Sequence, residues 1–169
     1  MLFALLATTT LAALVGFTAA ASPLRPGDHM GTMLFVRGTA ATADLKLFDI
    51  CDPVILQPGR YVRRCGSAPR VKRLFIGYGS FAPPRAINAI WKSSTWTGWF
   101  DGRRIQLRPF GTSDRPLHSF PSAGGNTVTL REWRVMLVNA TPGAHTVRYR
   151  TTDADGTTNA TWNFVITRS

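Results

Sequence analysis

From Thr95 onward the chain alternates apolar and polar residues with the period of two that a half-buried strand requires. In "HTVRYRTT" (145–152) Val147 and Tyr149 alternate with Arg148 and Arg150. In "NATWNFVIT" (159–167) Trp162, Phe164 and Ile166 alternate with Asn163, Val165 and Thr167. "DADG" (153–156) between them is a turn signal. "TWTGWF" and "RRIQLR", separated by Asp101-Gly102, predict a hairpin, because glycine accepts the positive φ of a type I′ turn. "TVTLREWRVMLVN" (127–139) changes phase: Val128 and Leu130 point one way, and Trp133, Val135 and Leu137 the other. A bulge or strand switch is therefore expected near Arg131-Glu132.

The first half is less regular. "TMLFVRG", "ADLKLFDI" and "RVKRLFIGYG" read as strands. At "APPRAINAIWKSS" the period shifts: Ile87, Ile90 and Trp91 share one helical face after Pro83-Pro84, which predicts a helix of two to three turns. Residues 108–125, with three prolines and three glycines, are expected to be an irregular loop. Many short strands with hairpin links and one helix describe an all-β antiparallel sandwich.

The first 22 residues carry no charged side chain, and an apolar run from Leu2 to Phe17 ends in the small residues Ala19-Ala20-Ala21. Residues 1–21 therefore read as a signal peptide, or, if uncleaved, as an anchor that would place the protein at a membrane. Residues 22–31 read as a loose proline- and glycine-rich approach, and 32–169 as a single domain. Export places the protein outside the cytoplasm, secreted or in the cell envelope, where Cys51 and Cys65 should form a disulfide. Closing a loop of that size stabilises a fold by roughly 3 kcal/mol in the chain-entropy description.

"DGRRIQL" followed by "LREWRVMLVNATPGAHTVRYRTTDADGTTNATWNFVI" resembles the second half of bacterial immunoglobulin-like domains of secreted and surface proteins. The resemblance covers about residues 95–167 and implies an immunoglobulin-like β-sandwich. The helix and the Cys51–Cys65 loop depart from that pattern.

Charge narrows the partners. The formal net charge is +11, and all but three of the 20 basic residues are arginine. Such a charge favours anionic partners, among them acidic carbohydrates, other anionic polymers, nucleic acid or lipid surfaces. The plainer alternative is an arginine-rich exported protein whose charges are spread around its surface. No more than two basic residues are adjacent, which disfavours a dedicated nucleic-acid patch. If Trp96, Gly98 and Phe100 face the core, Trp99 faces outward beside Arg103 and Arg104, where an indole could stack on a sugar ring or a base. The alternative is that the helix or the first-half strands cover it. Arg108, Arg115 and His118 in the 108–125 stretch could meet an anionic group.

Other chemistry finds little support. Gly77-Tyr78-Gly79-Ser80-Phe81-Ala82 fits G-x-G-x-x-A, but Pro83-Pro84 starts any helix too late for its N-terminus to reach a pyrophosphate. Glu132, the only glutamate, is expected to pair with an arginine of a neighbouring strand, and Asp101, Asp114 and Asp155 to sit in turns. His145 is expected to open its strand in contact with water. No catalytic pattern surrounds any histidine, so the chain reads as non-enzymatic and without a cofactor. The leading expectation is a binding or accessory module at the envelope. Two rivals are a structural module that contacts another exported protein, and a small copper-handling protein using His29, Met30 and Met33.

Overall fold

A computed structural model describes residues 21–51, 60–119 and 124–168, side chains at 60–64 excepted. The leader, but for its last residue, and most of the loop between the cysteines lie outside the described residues. In chain order the strands of the first half are β1 (His29–Met30), β2 (Met33–Arg37), β3 (Leu45–Lys46), β4 (Arg60–Ala68), β5 (Arg73–Phe75) and β6 (Gly79–Ala82). Helix α1 (Ile87–Ser93) follows, then β7 (Thr95–Phe100), β8 (Arg103–Ile105) and β9 (Thr112–Leu117). The chain closes with β10 (Val128–Trp133), β11 (Val135–Val138), β12 (Gly143–Asp153) and β13 (Gly156–Ile166).

Three sheets result. The C-terminal sheet has the order β4-β13-β12-β7-β8, the N-terminal sheet β1-β2-β11-β5-β3, and a three-stranded sheet β6-β10-β9. The two larger sheets share one core. Phe35 of β2 meets Phe100 of β7 edge-on at 5.4 Å between ring centroids. Tyr149 of β12 is fully buried, and its hydroxyl donates to the Ile76 carbonyl at 2.8 Å. Val147, Tyr149, Trp162, Phe164 and Ile166 all point inward, as the period-two pattern predicts.

The predicted hairpin closes at Asp101 (φ 46°) and Gly102 (φ 78°), both in the left-handed region that a type I′ turn demands. The phase change in the 127–139 stretch is a strand switch: β10 pairs with β6 and β9, and after Arg134 the chain continues as β11 between β2 and β5. The break falls a little later than the sequence suggests, because Arg134 occupies its backbone with Gly111 and Gly38 instead of a ladder. Cys51 and Cys65 are disulfide-bonded and face each other across an antiparallel bridge.

Several expectations are corrected. The sheets are not wholly antiparallel, since β4 runs parallel to β13 and β3 parallel to β5. "ADLKLFDI" is a strand only at β3; Leu47–Ile50 turns as a 3-10 helix, with Leu47 in the core and Lys46 bridging to Asp49 at 3.3 Å. "RVKRLFIGYG" divides into β5 and the start of β6, which belong to different sheets. The helix begins only at Ile87, Pro83 being held in the preceding turn by the N–H groups of Ala86 and Ile87. Residues 112–117 of the expected loop are strand β9. It is an edge strand, and an edge tolerates Pro116 because one side of its backbone needs no ladder partner. The approach segment 22–31 buries Leu24 completely, bridges it to Ile105, and forms β1 against β2. The glycines of the dinucleotide-like motif have a packing explanation. A Cβ at Gly77 would overlap the Trp133 carbonyl, and one at Gly79 the Arg131 carbonyl, where β10 passes close by.

Candidate functional site

The outward face of the C-terminal sheet carries the residues that alternate with its core. Strand register puts Trp99 of β7 directly opposite Arg104 of β8 on one side and Arg148 of β12 on the other. The next rows pair Thr97 with Arg150 and Thr95 with Thr152. On β13, Thr161 lies opposite Arg148 and Asn159 opposite Arg150. The Arg148 guanidinium carbon lies over the Trp99 ring, 4.2 Å from its centroid, a cation–π contact. One indole face is thus taken by Arg148 and is not open to a sugar ring. A groove of about 500 Å³ is lined by Thr95, Thr97, Trp99, Arg104, Arg150 and Thr152.

A carboxylate away from the groove fixes this register. Asp101 at the hairpin tip accepts the Thr146 N–H at 2.7 Å through one oxygen and meets His145 Nδ1 at 2.7 Å through the other. The second ring nitrogen of His145 lies 2.8 Å from the Thr141 carbonyl, and the ring stacks on Phe100. His145 is therefore buried between β7 and the start of β12, contrary to the expectation that it stays wet.

The described carboxylates that form ion pairs do so away from this row of arginines. The ion pairs among the described residues are Asp49–Lys46, Asp44–Arg73, Glu132–Arg115, Asp114–Arg131 and Asp101–His145. Arg104, Arg148 and Arg150 belong to none of them, and all three are exposed. Three cations without a carboxylate, beside threonine hydroxyls and asparagine amides, suit carboxylate, sulfate or phosphate groups displayed on a chain.

The residues named from sequence divide. Trp99, half-buried, and Arg104 lie opposite each other on adjacent strands. Arg103 points to the opposite side of β8, where its Nε donates to the Ser22 carbonyl at 2.8 Å. Arg108 lines a separate cleft that shares Arg104 with the groove. Arg115 and His118 belong with the three-stranded sheet: Arg115 Nε donates to Glu132 at 3.1 Å, and His118 Nδ1 lies 3.3 Å from the Thr127 hydroxyl. Asp114 is a strand residue and not a turn residue, with both oxygens accepting from Arg131 at 2.6 Å. Burial pushes the Glu132 carboxyl above its ordinary range, against the pull of Arg115 and Lys46, whereas the hydrogen bonds from Arg131 hold Asp114 below it. Met33 is in the core, while His29 and Met30, being adjacent on a strand, point to opposite faces. The copper ligands suggested by the sequence therefore do not converge. Among the described residues no three His, Cys, Asp or Glu side chains cluster as a metal site. Arg148 and Arg150 were the missed members of the face. Their outward alternation was visible, but not that β12 lies beside β7.

No protein-family model matches the chain, and no curated protein is similar to it. Among solved structures it is similar to a cysteine protease inhibitor from Entamoeba histolytica, with a TM-score of 0.33 and 11% identity over 65% of this chain and 99% of that one. A likeness at that level carries no argument about function. The disulfide suggests an environment outside the cytoplasm. Among the described residues no helix is long and apolar enough to cross a membrane.

Proposed function

We propose that this protein is an exported, non-enzymatic binding module of the cell envelope that holds an acidic polymer, a polysaccharide by preference, across the outer face of its C-terminal sheet. The observation that carries the reading is the row Arg104–Trp99–Arg148, with Arg150 in the next row and no acidic residue in the groove. The contact with the Trp99 ring restrains Arg148, which lowers the ordering cost of an oxyanion bound there. The flanking threonines and asparagines supply neutral hydrogen bonds of the kind sugar hydroxyls exchange. The charge-free leader and the disulfide support export. The fold is read as an immunoglobulin-like sandwich elaborated by the three-stranded sheet; the β7–β8 and β12–β13 hairpins support this, and parallel β4 is the elaboration.

Retention on an immobilised polyuronate, against a neutral glucan as control, tests the reading. Three arginine contacts should lose affinity by roughly 20- to 40-fold between 50 and 200 mM salt, by the counterion-release slopes known for polyanions. The variant Arg148→Ala/Arg150→Ala should bind more weakly and show a shallower salt dependence. Salt-independent retention, or equal retention by the variant, would sink the proposal.

A further inference from the structure

The second cleft, of about 530 Å³, is of small-molecule size and shares Arg104 with the groove. One wall is aromatic: Trp91 stacks on Trp96 at 4.8 Å between centroids, and Trp133 lies 5.1 Å from Trp91. The indole nitrogens of Trp96 and Trp133 are buried without hydrogen-bond partners, so these two rings present carbon to the cleft and not N–H. The cations Arg25, Arg104 and Arg108 also line it, all three exposed, and no described carboxylate does. The walls are braced by backbone. Leu24 N–H donates to the Arg104 carbonyl at 2.7 Å, Gln106 N–H donates to the Leu24 carbonyl at 2.8 Å, and Arg108 opens a 3-10 turn whose Phe110 is in the core.

Carbon faces beside guanidinium groups complement a ring that carries one carboxylate. The C–H face of a pyranose packs on indole carbon, and a uronate carboxyl matches the arginine fork. We infer that this cleft binds a single acidic sugar residue, its ring against the indole wall and its carboxylate on Arg104 and Arg108. The inference rests on the polymer reading above and adds the place where one residue of that polymer is recognised.

Titration of the protein with free glucuronate, followed by tryptophan emission and calorimetry, tests it. A dissociation constant of about 1 mM is expected from the ligand efficiency of so small a solute. Glucose, which lacks the carboxylate, and inorganic sulfate, which lacks the ring, should each bind at least roughly tenfold more weakly. Arg108→Ala, a change at an exposed side chain that leaves the fold intact, should weaken glucuronate by about tenfold. Arg148→Ala/Arg150→Ala should leave the titration unchanged, which separates the cleft from the groove. Polymer retention with a silent glucuronate titration overturns the cleft alone; saturable glucuronate binding without polymer retention overturns the groove alone. Sulfate binding as tightly as glucuronate, benzoate binding more tightly, or an unaffected Arg108→Ala would each overturn the inference.

Discussion

Two arginine-rich surfaces of this protein are built from the same residue and end in opposite states. On the three-stranded sheet, Arg115 and Arg131 of β9 and β10 each meet a carboxylate, Glu132 and Asp114. Arg131 also reaches the Asn88 side chain at 2.9 Å and lies 5.9 Å from the Trp91 ring. On the outer face of the C-terminal sheet, Arg104, Arg148 and Arg150 are exposed and have no acidic neighbour in their rows. With nine acidic residues against 20 basic ones, the fold cannot neutralise every arginine, so where it places its carboxylates decides which surface stays cationic. Net charge locates nothing; pairing does.

Asp101 braces the hairpin tip beneath the open face through Thr146 and His145, without pairing with any of its arginines. Asp101→Ala removes the acceptor of the Thr146 N–H and the His145 contact, and forces alanine into φ 46°. Together these changes should cost about 2 kcal/mol by denaturant unfolding. Asp101→Asn should lose less, because asparagine tolerates the left-handed region and can still accept from Thr146. Unfolding of Asp101→Ala at the midpoint of the unaltered protein would show that the hairpin tip does not fix the register of Trp99 against Arg148.

Next in size is Arg131→Ala. It removes two short bonds to Asp114 and the bond to Asn88, which ties α1 to β10. Asp114 is more than a third exposed, so solvent screening limits the loss to about 1 kcal/mol. Retention on the polyuronate should not change. A fall in retention with unaltered stability would transfer the binding role to the paired surface and dissolve the contrast.

How much of this was legible depends on how far the information travels along the chain. The inward run Val147, Tyr149, Trp162, Phe164 and Ile166 was readable because strand alternation is local, and so was the Asp101-Gly102 hairpin. The same alternation already separates Arg103 from Arg104, two neighbours that look like one basic pair but point to opposite faces of β8. What could not be read was register between distant segments. Trp99 meets Arg148 only because β12 lies beside β7, and no local pattern encodes that. Proline content misled at Pro116, since composition records the missing donor but not that the strand lies at an edge where none is needed. The cleft was invisible for the same reason: Trp91, Trp96 and Trp133 come from a helix and two sheets.

The smallest expected effect sharpens the contrast from inside the paired surface. Glu132 is buried and its pKa is raised by desolvation, with Arg115 and Lys46 opposing, so folding favours its protonated form. Its contribution is fully present below the carboxyl's unfolded pKa and is lost as pH rises through the higher folded value. Asp114 has the opposite sign. Hydrogen bonds from Arg131 lower its pKa, so its contribution is present above the unfolded value and is lost as pH falls through the folded one. At neutral pH Glu132→Gln should therefore be as stable as the unaltered protein or more stable, within about 0.5 kcal/mol, because it removes a buried charge while half-exposed Arg115 remains hydrated. That advantage should vanish as pH drops through the carboxylate range, where glutamate itself becomes neutral. Melting temperatures of the two proteins across pH 3 to 8 would show it. If Glu132→Gln instead loses more than about 1 kcal/mol at neutral pH, the Arg115–Glu132 pair is a net stabiliser. The paired surface would then owe its carboxylates to stability, and the open face would be what remains once those needs are met.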